Sequence, residues 1–153
     1  MIYVTGDTHG QMERFHAPEL RRLRKGDTLI ICGDFGFLWD GGDEEKKNLE
    51  KIGRLKYGVL FLDGAHENFD LLNAYPAEEW NGGRVHHICG GLYHLMRGQV
   101  FSLEGKTLFT FGGGESGEKR IRIQAGKWWP CEMPSIDEMR EGVGNLQAHG
   151  FSV

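Results

Sequence analysis

The tightest constraint on the fold is a pattern that recurs through the first half of the chain. Short β-rich runs, Met1–Thr5, Thr28–Cys32 and Val59–Leu62, each lead into glycine accompanied by Asp or His. Helix-like stretches lie between them, at about Pro18–Arg24 and Asp43–Lys56. In the second stretch Leu49, Ile52 and Leu55 recur at three-residue steps and Glu50 precedes Arg54 by four, the spacing of one helix face and of an i,i+4 ion pair. Asp43–Lys47 reads as the solvated start of that helix, with its acidic residues against the positive end of the helix dipole. Strand, helix, strand, helix, strand predicts an α/β fold built from parallel βαβ units with right-handed crossovers. At 153 residues the chain suits a single domain spanning 1–153, since a chain of this size buries roughly 68–70% of its unfolded surface.

The pattern changes after Trp80. His86–Ile88, Leu92–Met96, Val100–Leu103 and Thr107–Phe111 are short runs separated by turns at Gly90-Gly91, Gly98 and Gly105, which predicts an antiparallel meander. A last helix is announced by Ser135-Ile136-Asp137-Glu138, a capping box in which Ser and Glu satisfy each other's backbone donors. Met139, Val143 and Leu146 supply its expected apolar face, which Gly142 and Gly144 weaken by about 1 kcal/mol each. Gly150 is the expected stop, and Phe151-Ser152-Val153 reads as the beginning of another strand.

Composition narrows the function classes. Hydrophobic residues make up 39% and charged residues 26%, ordinary soluble usage that argues against wholesale disorder. A net charge of −4 gives no reason for nonspecific nucleic-acid binding, although a nucleotide substrate stays open because a metal site neutralises phosphate locally. Cys32, Cys89 and Cys131 form no C-x-x-C pair, so neither a disulfide framework nor a structural zinc site is expected. With no signal peptide and no apolar run near 20 residues, a cytoplasmic location without a membrane partner is the expectation.

The chemistry gathers where the three βαβ strands end. The first gives Gly6-Asp7-Thr8-His9-Gly10, the second Gly33-Asp34-Phe35-Gly36, the third Asp63-Gly64-Ala65-His66-Glu67-Asn68. Ligand crevices of open α/β sheets lie outside the carboxyl ends of parallel strands, so these groups should converge in space. Asp-x-His is expected to place a carboxylate and an imidazole on the same side of extended chain. A mixed O/N donor set suits Mn, Fe or Zn better than Ca. Taken singly, each feature has a bland reading: a Gly-Asp is commonly a turn, and a Gly-x-His commonly a capping residue. Their order and spacing together carry the metal-site reading.

Those motifs resemble the ordered signature GDxHG, GD, GNH[DE] of calcineurin-like metallophosphoesterases, and the likeness continues through Leu95–Gly98 and Phe109–Gly114. The resemblance implies an αββα sandwich of mixed sheets holding two divalent metal ions, with Mn, Fe or Zn as candidates, and a phosphate mono- or diester as substrate. It implies that Asp7 and His9 ligate the first metal, that Asp34 bridges both, and that His66 assists the leaving group as acid or hydrogen-bond donor.

Three departures qualify what the resemblance implies. Position 65 is Ala where the family uses a metal-binding Asn, and Phe37 stands where many members carry an Asp that orients the catalytic histidine. Glu67 is the candidate substitute for that Asp. The family's late histidines have no counterpart after His94 except His149, which reads as a surface or helix-capping residue. The expectation is therefore a domain that is incomplete at its C-terminus, with an exposed sheet edge and one metal ion or none in this chain. A noncatalytic binding module that keeps the fold, or a mononuclear metal-binding protein, is the alternative to the hydrolase. Among other features, His86 and His87 should point to opposite faces of a strand, Trp128-Trp129 should anchor the chain rather than form a substrate platform, and Gly112–Gly117 should lie at the rim of the site.

Overall fold

Leu29-Ile30-Ile31 and Val59-Leu60-Phe61 are apolar without interruption because both faces of their sheet are covered. The computed structural model describes residues 1–153. Strands β1 (Ile2–Thr5), β2 (Thr28–Cys32) and β3 (Gly58–Leu62) pair in parallel, with Ile2 opposite Thr28 and Thr28 opposite Gly58. Side chains alternate across them: Leu29, Ile31, Val59 and Phe61 enter one buried cluster, Ile30 and Leu60 the other. Continuous apolar strands of this kind belong to parallel sheets buried on both sides.

Helix α1 (Asp43–Gly53) covers the first face with Leu49 and Ile52. Its acidic first turn does more than meet solvent: Glu45 accepts the backbone N–H groups of Trp39, Asp40 and Gly41 at 2.9–3.0 Å. Short α2 (Phe69–Asn73) buries Phe69 and Leu72 and is capped by Asn68. The helix expected over Pro18–Arg24 does not form; 3-10 turns occupy Met12–His16 and Leu20–Arg22 instead. Ala17, held extended at φ −55 and ψ 139 ahead of Pro18, breaks the segment, as a residue before proline does.

The expected meander divides between two sheets. Strands β4 (Ala77–Trp80), β5 (Gly83–Cys89) and β6 (Leu92–Leu95) extend the parallel sheet, giving the order β1-β2-β3-β6-β5-β4, with β6 parallel to β3 and antiparallel to β5. Strands β7 (Gln99–Leu103) and β8 (Lys106–Thr110) form a separate antiparallel pair. Phe101 and Leu103 of β7 pack with Ile30, Leu60, Val85 and Leu95, so the hairpin is the second sheet of a sandwich. After α3 (Lys119–Gln124), helix α4 (Ile136–Ala148) lies against β7 and carries the expected capping box. The result is the mixed α/β sandwich that the resemblance implied.

The face that α4 buries is not the predicted one. Met139 and Val143 are 47% and 39% exposed, whereas Gly142 is buried against Gly98 and Asn145 Nδ2 donates to Gly98 O at 2.6 Å. The helix seats through its smallest residue and polar neighbours, because a Cβ on Gly98 would lie 3.0 Å from Gly142 N. At the other side of the molecule β1 is the outermost strand, with Val4 67% exposed.

Candidate metal centre

The loops that follow β1, β2 and β3 are strained at the residues singled out by sequence. Asp7, His9 and Asp34 have φ of 52, 46 and 47 degrees, a left-handed conformation uncommon for residues with a Cβ. Asp7 and His9 therefore do not leave a strand side by side, as expected of extended chain. The turns instead fold the first loop onto the second: His9 N donates to Asp34 O at 2.9 Å, Gly10 N to Phe35 O at 3.0 Å, and Thr8 Oγ1 to Phe35 O at 2.8 Å. The third loop closes on Asp34, whose Oδ1 accepts His66 N at 3.0 Å. Gly64 permits this approach, since a Cβ there would overlap the Asp34 carboxylate.

His9, Asp34 and His66 are brought together, with potential ligand atoms all within 4.8 Å of one another. His66 Nδ1 lies 2.9 Å from Asp34 Oδ2 and His9 Nε2 lies 3.9 Å from the same oxygen. The two rings meet edge to face, their centroids 5.3 Å apart. A carboxylate can only accept, so in this arrangement His66 Nδ1 carries the hydrogen. Asp7 sits on the same loop but outside the group of three; its carbonyl accepts Arg14 Nη2 at 2.9 Å. Ala65 lies between Gly64 and His66 and offers no donor. The His9 imidazole and the Asp34 carboxylate, with Asp7 on the same loop as His9, make a mixed O/N donor set that suits a borderline divalent cation such as Mn, Fe or Zn, so the residues present fit the metal that the resemblance implies.

Electrostatics make Asp34 a ready anion. Burial works against its charge, but the hydrogen bonds from His66 N and the His66 ring, with the charges of His66 and His9, hold its carboxyl below the ordinary value. Glu67 faces the opposite balance. It is fully buried, and burial, aided by the nearby Asp63 and Asp34 charges, pushes it well above the ordinary range despite bonds from Gly36 and Phe35. Its oxygens accept Phe35 N at 2.6 Å and Gly36 N at 3.2 Å. The expectation that Glu67 orients His66 is thus replaced by another role: it fixes the peptides that follow Asp34. Phe37 belongs to the apolar core at 2% exposure.

Sequence reading missed the buried polar groups that brace the third loop from behind. Asp63 Oδ1 lies 2.9 Å from His94 Nε2, its Oδ2 accepts Arg97 Nη2 at 2.6 Å, and Arg97 also reaches the carbonyls of Cys131 and Glu132. Burial opposes the Asp63 charge, but His94 and Arg97 hold the carboxyl below the ordinary value. Leu95-Met96-Arg97-Gly98 was the available signal, a buried Arg between strands. The glycine-rich segment after β8 does lie at the rim: Gly113 N donates to Asp63 O at 2.9 Å, and Glu118 Oε2 comes within 3.8 Å of His66 Nε2. His86 is buried while His87 stacks on Tyr93, as opposite strand faces require. Trp129 packs against the larger core cluster and Trp39, and His149 caps α4.

Comparisons with curated proteins and with solved structures each returned no match. The family model for calcineurin-like phosphoesterase matches residues 1–142. With that coverage, and with three strand-end loops converging as the family's motifs require, the chain belongs to the calcineurin-like phosphoesterases.

Proposed function

We propose that this chain is a metal-dependent hydrolase of phosphate mono- or diesters, with Asp7, His9 and Asp34 holding divalent cations and His66 serving the leaving group. The observation that carries the reading is the convergence of His9, Asp34 and His66 within 4.8 Å from three separate strand ends. When bound, divalent cations neutralise phosphoryl oxygens and lower the pKa of an attacking water. Asp34, whose carboxylate stays charged, would hold a cation with His9 and Asp7, and the resemblance would have it shared between two. His66, tied through Nδ1 to Asp34, leaves Nε2 as the nitrogen that would serve the departing oxygen. The structure has no helix long and apolar enough to cross a membrane, and free Cys32, Cys89 and Cys131 support a reducing, cytoplasmic setting.

Ala65 leaves the second cation short of a ligand, so the reading predicts weak turnover and a gain on restoring it. Manganese binding by titration calorimetry should be saturable, and bis-p-nitrophenyl phosphate or p-nitrophenyl phosphate should be hydrolysed slowly. Ala65→Asn should raise both manganese stoichiometry and rate, while Asp34→Asn should lower binding and turnover by more than about 100-fold. Absence of saturable manganese binding overturns the reading. Manganese bound without turnover, in wild type and in Ala65→Asn alike, favours the noncatalytic binding module that Ala65 suggests.

A further inference from the structure

The segment between β8 and α4 carries a buried ion pair that nothing in the metal centre requires for its own sake. Arg122 and Glu132 are 5% and 1% exposed and meet at 3.0 Å. Burying such a pair costs desolvation that its attraction often fails to recover, so its use is geometric. Glu132 Oε1 accepts Ser116 N at 3.0 Å and its carbonyl accepts Gly114 N at 3.0 Å. Arg122 N donates to Glu118 O at 3.0 Å, and Glu118 N donates to Ser116 Oγ at 3.2 Å. The pair thereby fixes both sides of residues 114–118 and sets Glu118 at the opening turn of α3.

Glu118 is presented to the reaction centre. Its carboxylate has no hydrogen bond within the chain, is 68% exposed, and lies 3.8 Å from His66 Nε2. That nitrogen is the one left free by Asp34, which holds Nδ1 at 2.9 Å. Whatever accepts a hydrogen from Nε2 must sit beside the Glu118 oxygens. The adjacent Lys119 ammonium is turned onto the Trp128 ring, 4.6 Å from its centroid, and Lys127 Nζ reaches Trp39 O at 3.3 Å. Both cations are engaged with tryptophans, Lys119 with Trp128 of the segment and Lys127 with Trp39 of the loop before α1.

We propose that Glu118 sets leaving-group specificity: the site takes phosphate esters whose leaving group is a neutral or hydroxyl-bearing alcohol and disfavours anionic leaving groups such as a second phosphate. This rests on the hydrolase reading, since the leaving group is placed by His66. Repulsion between unit charges about 4 Å apart in a solvated site corresponds to roughly 5-fold in affinity, and salt weakens it.

The test compares inorganic phosphate with pyrophosphate as ligands of the manganese-loaded protein, by calorimetry at low and high salt. Glu118→Gln should tighten pyrophosphate by about 5-fold at low salt and leave phosphate unchanged; Glu118→Lys should tighten it further, and both gains should shrink in salt. Glu118 is exposed and its removal leaves Arg122–Glu132 in place, so melting temperature should stay unchanged. A pyrophosphate-to-phosphate ratio that is the same in wild type and both variants overturns the specificity role while leaving the hydrolase reading intact. Wild type that binds no manganese overturns the hydrolase reading and this inference with it.

Discussion

Asp7, His9 and Asp34 spend conformational energy of order 1 kcal/mol each by adopting positive φ, and something must hold them there. For Asp34 the hold is Glu67, which accepts the next two backbone N–H groups and so orients peptides whose carbonyls bind the first loop. A neutral amide of the same size accepts one of those N–H groups and points its own NH2 at the other. Glu67→Gln should therefore weaken manganese binding about 10- to 100-fold while the folded protein persists. Calorimetry decides it: a lower melting temperature with unchanged manganese affinity would mean that Glu67 only supports the fold. Sequence singled out the residues that the loops bring together, His9, Asp34 and His66, because Asp and His after strand ends carry their own signal. It could not assign Glu67, since the partners are backbone groups and leave no mark on residue identity. Glu118 was invisible for a related reason: its nearness to His66 depends on how residues 112–132 fold back.

Elements with their own local rules were the legible ones. The β2 and β3 runs, α1 and the Ser135–Glu138 box all follow from periodicity and capping chemistry. Three short elements, α2, β4 and α3, escaped because five, four and six residues are too few to show a period. The Asn81-Gly82 turn, with φ of 47 and 94 degrees, was the overlooked hairpin signal between β4 and β5. Helix α4 shows why propensity misleads once packing intervenes: Gly142 looked like a weakness and is instead the seat of the helix on Gly98. At Gly98 a side chain meets both penalties, a φ of 71 degrees and a Cβ 3.0 Å from the α4 backbone. Gly98→Ala should destabilise more than Ser135→Ala, which loses only a cap worth about 1 kcal/mol, or roughly 2–4 °C for a chain of this size. Thermal unfolding of the two variants ranks them, and a Gly98→Ala protein as stable as Ser135→Ala would show that α4 is not seated through this contact.

At the scale of the whole molecule, the sheet order resisted sequence reading because β6 satisfies two neighbours at once, parallel to β3 and antiparallel to β5. That choice brings His94 over Asp63 and His86 over His94, a buried chain linking the two halves of the sheet. Asp63 can only accept, so His94 Nε2 donates to it, and His94 Nδ1 meets His86 Nδ1 at 3.1 Å. One proton fits between the two Nδ1 atoms, and a second cannot. Burial, the neighbouring His94 and the Arg84 charge, against an opposing pull from Asp63, push His86 down to about 4 from an ordinary 6.5. An unfolded chain takes up that proton near pH 6.5 while the fold refuses it, so stability is complete above that pH and is lost as pH falls toward 4. Below that window Asp63 and Asp34, both held low, begin to lose their own contributions as they protonate. Urea unfolding between pH 7 and pH 4 should thus carry a falling contribution from His86, set against an opposite slope from Glu67, whose raised carboxyl takes up a proton on folding as pH falls. In His86→Gln, whose amide does not titrate, the stability lost on going from pH 7 to about pH 4 should be smaller than in wild type by the His86 contribution, even if the variant is less stable throughout. An unchanged slope would place the acid sensitivity elsewhere than in the buried histidine pair.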